Sequence, residues 1–147
     1  MIDLIAVLIA FTIFFIICKL LYVKPKFSRE KIWRLGLNED VKRLSFRPFL
    51  LGFEKFAVSK EELCFDETFL YVIKDDEVKT TIKFEDILEL KKGRWEINNV
   101  RIWHIKTEES LYKFAPINNF LNKNFTEFLA ILKNKNSQAI KSKKRNF

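Results

Sequence analysis

The stretch VKTTIKF, residues 78–84, settles the kind of domain this chain builds. Val78, Thr80, Ile82 and Phe84 alternate with Lys79, Thr81 and Lys83. That period of two predicts a half-buried β-strand with one apolar and one wet face. Immediately before it, residues 68–73 are rich in β-branched and aromatic side chains, and Asp75-Asp76 between the two runs reads as a hairpin turn. Working outward, Leu63 and Phe65 suggest another strand. Residues 87–90, 100–106 and 111–114 suggest three more, and 53–58 opens the series. The spacing thus predicts about seven short antiparallel strands.

One helix closes this region. Asn124 is placed to cap it, with Glu127 three residues on. Phe125, Phe128, Leu129 and Leu132 then recur at helical spacing as one apolar stripe. Beyond Lys133 no apolar period survives, and disorder is expected after Asn136.

The N-terminal end reads differently. Leu4 to Cys18 is an apolar run interrupted only by Thr12. Taken with Lys19 and the four apolar residues after it, residues 2–23 would measure about 33 Å of helix against a hydrocarbon core of about 30 Å. Lys19 lies near the end, where its stem can stay among lipid tails while the ammonium reaches out. Tyr22 falls at interfacial depth and Pro25 stops the helix. A cleaved signal fits poorly, because Met1-Ile2-Asp3 carries no base. The expectation is a single-pass transmembrane signal-anchor. Lys24, Lys26, Arg29, Lys31 and Arg34 follow the span, and only Asp3 precedes it. The positive-inside rule then places the N-terminus outside and the large C-terminal part in the cytoplasm, at the plasma (inner) membrane.

Charge is concentrated at two places. The net charge is +8. Residues 24–50 contribute +5 and residues 133–147 contribute +6, whereas residues 51–132 contribute −3. Such an arrangement suits a polyanionic surface, and anionic lipid at the inner face fits the expected span. The tail bases are Lys133, Lys135, Lys141, Lys143, Lys144 and Arg145. Nucleic acid is a weaker partner, since Phe147 is the tail's only ring. Ser28 could cap a short helix ending at Gly36, in which Ile32 and Trp33 either lie on headgroups or pack on the domain.

The residue types for catalysis are sparse. His104 is the only histidine and has no second ligand at metal spacing, so a strand residue is expected there. Cys64, between Leu63 and Phe65, reads as a buried inert thiol. No phosphate loop, dinucleotide fingerprint or hydrolase elbow occurs. The expectation is a non-enzymatic protein with no cofactor and no metal. The best binding loop is KKGRW, where Lys91, Lys92, Arg94 and Trp95 read as a hairpin tip that either meets phosphates or is simply solvated.

The order of about seven strands and a final helix resembles bacterial PH-like and GRAM-like domains. The likeness rests on residues 80–90 (TTIKFEDILEL), 102–116 (IWHIKTEESLYKFAP) and 124–132 (NFTEFLAIL). It implies an α+β, mostly antiparallel split barrel over residues 51–135, between a basic linker at 24–50 with short helices and a tail at 136–147. It also implies a membrane-anchored binding or adaptor module that engages a protein partner or anionic lipid. The alternative is a small single-pass accessory subunit of a larger membrane complex.

Overall fold

A computed structural model describes residues 2–21, 29–48 and 52–140 of the 147, with the side chains of the first helix described over residues 4–17. Four helices and eight strands follow in the order α1 (Ile2–Leu21), α2 (Arg29–Arg34), β1 (Lys42–Arg43), β2 (Ser45–Phe46), α3 (Glu54–Ala57), β3 (Glu62–Phe65), β4 (Phe69–Lys74), β5 (Glu77–Lys83), β6 (Glu89–Ile97), β7 (Val100–Lys106), β8 (Leu111–Pro116) and α4 (Asn124–Lys135). The strands make two four-stranded antiparallel sheets, ordered β1-β3-β4-β5 and β2-β8-β7-β6.

The core lies between the sheets. Leu63 and Phe65 of β3, Leu70 and Val72 of β4, Leu90 of β6, Ile105 of β7 and Phe114 of β8 are all buried in one cluster. Helix α4 adds Phe125, Phe128 and Leu132 to it. The Phe128 ring meets those of Phe65 at 5.5 Å and Phe84 at 5.6 Å between centroids, and stacks on Phe125 at 6.4 Å. The predicted stripe is therefore the one that packs, with Leu129 at its half-buried margin.

The first sheet is covered on both faces, which explains why β3 and β4 read as continuous apolar runs rather than as alternation. Cys64, Tyr71 and Ile73 point to the second face with Val41, under Leu35 and Leu37. Helix α2 leads into that cover. Gly36 at φ +64° ends it, a left-handed conformation that suits a residue with no Cβ. Between β3 and β4, the Asp66 carboxylate accepts hydrogen bonds from the Thr68 and Phe69 amides, each at 2.7 Å, and from the Tyr71 hydroxyl at 2.6 Å. Burial pushes this carboxyl up, but the hydrogen bonds outweigh it and hold Asp66 below the usual carboxylate range.

Several sequence expectations are corrected. Among the described residues, no helix is long and apolar enough to cross a membrane. Helix α1 is described over Ile2–Leu21. The transmembrane anchor over 1–23, the single-pass topology and the inner-membrane placement are accordingly not supported. Tyr22, Lys24, Pro25, Lys26 and Ser28 lie outside the described residues.

The expected PH-like split barrel is replaced by two separate sheets. After β5 the chain makes a tight turn over Phe84–Asp86 that buries Phe84, and β5 and β6 are not neighbours in either sheet. Ile140 instead bridges Leu90 on β6 in parallel. Ala139 is buried alongside, so the first residues of the expected disordered tail pack on the domain. The backbone also departs from expectation in two short segments. Residues 42–46, within the expected linker, contribute a strand to each sheet, and the expected strand at 53–58 holds the helical turn α3.

Phe128→Ala is expected to lower stability by about 3–5 kcal/mol, because three ring contacts are lost at a fully buried site. Chemical denaturation read by tryptophan fluorescence checks this. An unchanged midpoint would mean that α4 does not seal the core.

Candidate binding surfaces

The described basic residues singled out in the sequence sit on separate elements, α2, β6 and α4. In α2, Lys31 turns inward, its Nζ 2.8 Å from Asp76 Oδ1 in the β4–β5 turn and 3.4 Å from Glu62 Oε2 on β3. Burial pulls this ammonium down, yet the Asp76 hydrogen bond and the Glu62 and Asp76 charges outweigh it and leave its pKa above the ordinary lysine value. Lys31 thus fastens α2 to the sheet. Arg34 pairs with Glu30 one turn back at 3.6 Å. Arg29 and Trp33 are exposed, whereas Ile32 is buried, so the two apolar residues of this helix divide between solvent and domain.

The segment expected as a hairpin tip is a strand. Strand β6 runs through Lys91, Lys92, Arg94 and Trp95, and the turn is Asn98-Asn99 with φ of 49° and 61°. Asparagine tolerates that left-handed pair, which is the geometry of a tight hairpin. A register shift between Lys92 and Glu96 absorbs Gly93, Arg94 and Trp95 as a bulge. Lys91 pairs with Glu89 at 3.5 Å, and Lys92 lies over the Trp103 ring at 5.6 Å. Arg94 is exposed and its carbonyl accepts from Arg101, which also pairs with Glu96 at 2.9 Å. Trp95 is exposed.

The bulge has a cause. A Cβ on Gly93 would stand 2.8 Å from His104 Nε2 and 2.9 Å from the Ile102 carbonyl oxygen, so only glycine lets β6 cross there. His104 is half-buried between Lys91 and Lys113 on the neighbouring strands, and its Nε2 is buried without a hydrogen bond. Burial first, then the Lys113 and Lys91 charges, lower its pKa, with Glu89 opposing. Burial likewise pushes the Cys64 thiol up to about 12, with the Glu62 charge adding to it, so that it is no nucleophile at neutral pH. Among the described residues, no group of three or more His, Cys, Asp or Glu side chains is placed to hold a metal ion.

At the C-terminal end, Lys133 is exposed in the last turn of α4 and Lys135 reaches over the Phe84 ring at 5.6 Å. Lys141, Lys143, Lys144 and Arg145 lie outside the described residues.

Sequence reasoning passed over the most exposed apolar pair of the domain. Phe120 and Leu121, in the β8–α4 connection, are 92% and 91% exposed. Their signal was an apolar dipeptide framed by asparagines, NNFLNKN at 118–124. Phe53 and Phe56 around α3 are exposed as well, with Lys55 over the Phe56 ring.

No family model matches this chain, and neither a curated protein nor a solved structure matches it. The resemblance to PH-like and GRAM-like domains therefore has no support.

Because folding depresses the His104 pKa, stability contributed at this site is complete above the unfolded value of about 6.5 and is lost as pH falls through the lower folded value. His104→Gln should flatten the decline in unfolding midpoint between neutral and mildly acidic pH. A profile identical to that of the unaltered chain would show that His104 is not its source. Gly93→Ala should destabilise by about 1–3 kcal/mol, since both the ring and the strand backbone must give way.

Proposed function

We propose that this chain is a non-enzymatic binding module that works as a subunit of a larger protein assembly, with α1 as its attachment element. The observation that carries the reading is the exposure of α1. Phe11 and Phe15 are each 69% exposed and Leu4 68%, and every other residue from 4 to 17 is exposed too. A contiguous apolar surface of this size is more than a lone soluble chain ordinarily leaves in water. The stretch is apolar around its whole circumference, so a single docked helix would cover only part of it.

The β-domain supports the non-catalytic half of the reading through its chemistry. Its histidine is half-buried against a glycine bulge, its described thiol is held protonated, and Asp66 and Lys31 are spent on a turn and on a helix contact. These groups act as structural anchors rather than as acids, bases or nucleophiles aimed into a cleft.

Size-exclusion chromatography with light scattering on the full chain should give a species larger than a monomer in aqueous buffer. Phe11→Glu with Phe15→Glu should convert it to a monodisperse monomer whose domain unfolds at the same temperature. Photo-crosslinking from position 11 or 15 in cells should yield discrete protein adducts. A wild-type chain that is already a monodisperse monomer, or crosslinks that capture no protein, would overturn the reading.

A further inference from the structure

We propose that the Phe120-Leu121 loop is a peripheral lipid-insertion site, which seats two apolar side chains at the headgroup–acyl boundary of an anionic lipid surface. This goes beyond the attachment role of α1 and does not depend on it. It is a shallow contact by a loop, not a crossing by a helix.

The loop is built to hold these side chains out. Asn119 and Asn122 face each other in an isolated bridge, with Asn119 N donating to Asn122 O at 2.9 Å and Asn122 N to Asn119 O at 3.3 Å. The Asn119 side-chain oxygen accepts from the Leu121 amide at 2.9 Å, and that of Asn122 accepts from the Asn124 amide at 2.9 Å. Phe120 and Leu121 are thereby left at the tip of a closed turn in which the Asn119, Leu121 and Asn122 amides are already bonded. The base is fixed to the domain, because the Ile117 amide donates to Leu44 O at 2.9 Å and the Asn124 side chain donates to Arg43 O at 2.8 Å. Little ordering entropy remains to be lost on docking.

The surroundings select the occupant. A protein hot spot is normally ringed by further apolar contacts that exclude water. Here the two apolar residues are flanked in sequence by the polar Asn118, Asn119, Asn122 and Lys123. That layering matches a membrane surface, with an apolar tip reaching the acyl boundary, about 5–10 Å deep, and amides and an ammonium among the headgroups. The charge is complementary, since residues 118–126 hold Lys123 and no acid, and the next acid, Glu127, is paired with Lys42. A lysine beside an anionic leaflet is worth about 1 kcal/mol.

The test reads the loop itself, so that binding through α1 cannot imitate it. In the full chain with Cys18→Ser, Phe120→Cys is labelled with the fluorophore NBD, and a second sample carries the label at Glu109→Cys. Cys64 stays dark because it is buried. Glu109 lies in the β7–β8 turn, at the opposite end of β8 from the loop, and is exposed. Vesicles of mixed phosphatidylcholine and phosphatidylglycerol should give a blue shift and a severalfold rise in emission at position 120 and no change at 109. The response should weaken with Leu121→Ser, with Lys123→Glu, with added salt and on pure phosphatidylcholine. No response at position 120, or an equal response at both positions, overturns the proposal. So does a discrete protein adduct from a photo-crosslinker at 120 in the absence of any lipid response, which would assign the loop to a protein socket.

Discussion

The backbone of Leu44 ties the two sheets together. Its amide donates to Leu63 O of the first sheet at 2.8 Å, and its carbonyl accepts from Ile117, just past β8 of the second, at 2.9 Å. Its side chain is fully buried. Next to it, Ser45 pairs with Pro116 while its hydroxyl accepts from the Leu63 amide at 2.8 Å. Since β5 and β6 do not pair, the short run 42–46 joins the sheets by hydrogen bonds, and the shared core, with the aromatic cluster around Phe128, joins them by packing. An unpaired amide at a buried position would cost about 1–3 kcal/mol, so the path of this run is closely constrained.

That constraint extends to the ends of α4. Asn124 does not cap the helix with its side chain as its position suggested. It donates to Arg43 O instead, while Lys123 occupies the cap position without a side-chain bond. Glu127, expected as the reciprocal partner of a capping box, pairs with Lys42. Both residues bind the helix start to the crossover strand. At the other end, Asn136 donates to the carbonyls of Phe84, Glu85 and Ile87, closing the turn that diverts the chain between β5 and β6. The helix is thus held at both ends by side chains that serve the tertiary structure rather than the helix itself.

The parts of the fold that were legible in the sequence are those in which one physical signal dominates. Strand β5 alternates because one face is wet, and the α4 stripe recurs at helical spacing because one side is buried. Strands β1 and β2 were not legible, since two residues each are too few to show a period and Lys42 and Arg43 resemble a charged linker. Strand β6 was lost after Leu90 because lysines, an arginine and a glycine imitate a loop. The reason for Gly93 is the His104 ring on the adjacent strand, and no local pattern encodes that. The Phe120-Leu121 loop escaped for the converse reason. Two apolar residues between elements read as filler until their exposure shows that nothing in the described domain covers them.

The basic residues illustrate why composition located charge but not a surface. A net charge sets the long-range field, which decides what approaches. It does not decide which ammonium is available on contact. Lys31, Lys91 and Arg101 are each engaged by a carboxylate, and Lys92 lies on an indole face. Exposed pairs of this kind are weak, about 0–1 kcal/mol, so a polyanion could displace some of them. Lys31 differs, since two carboxylates hold it and its release would loosen α2 from the sheet. Within the stretch read from sequence as a membrane-facing basic strip, Lys31 works as an internal fastener. Among the described residues, the large apolar side chains left most exposed are those of the Phe120-Leu121 loop.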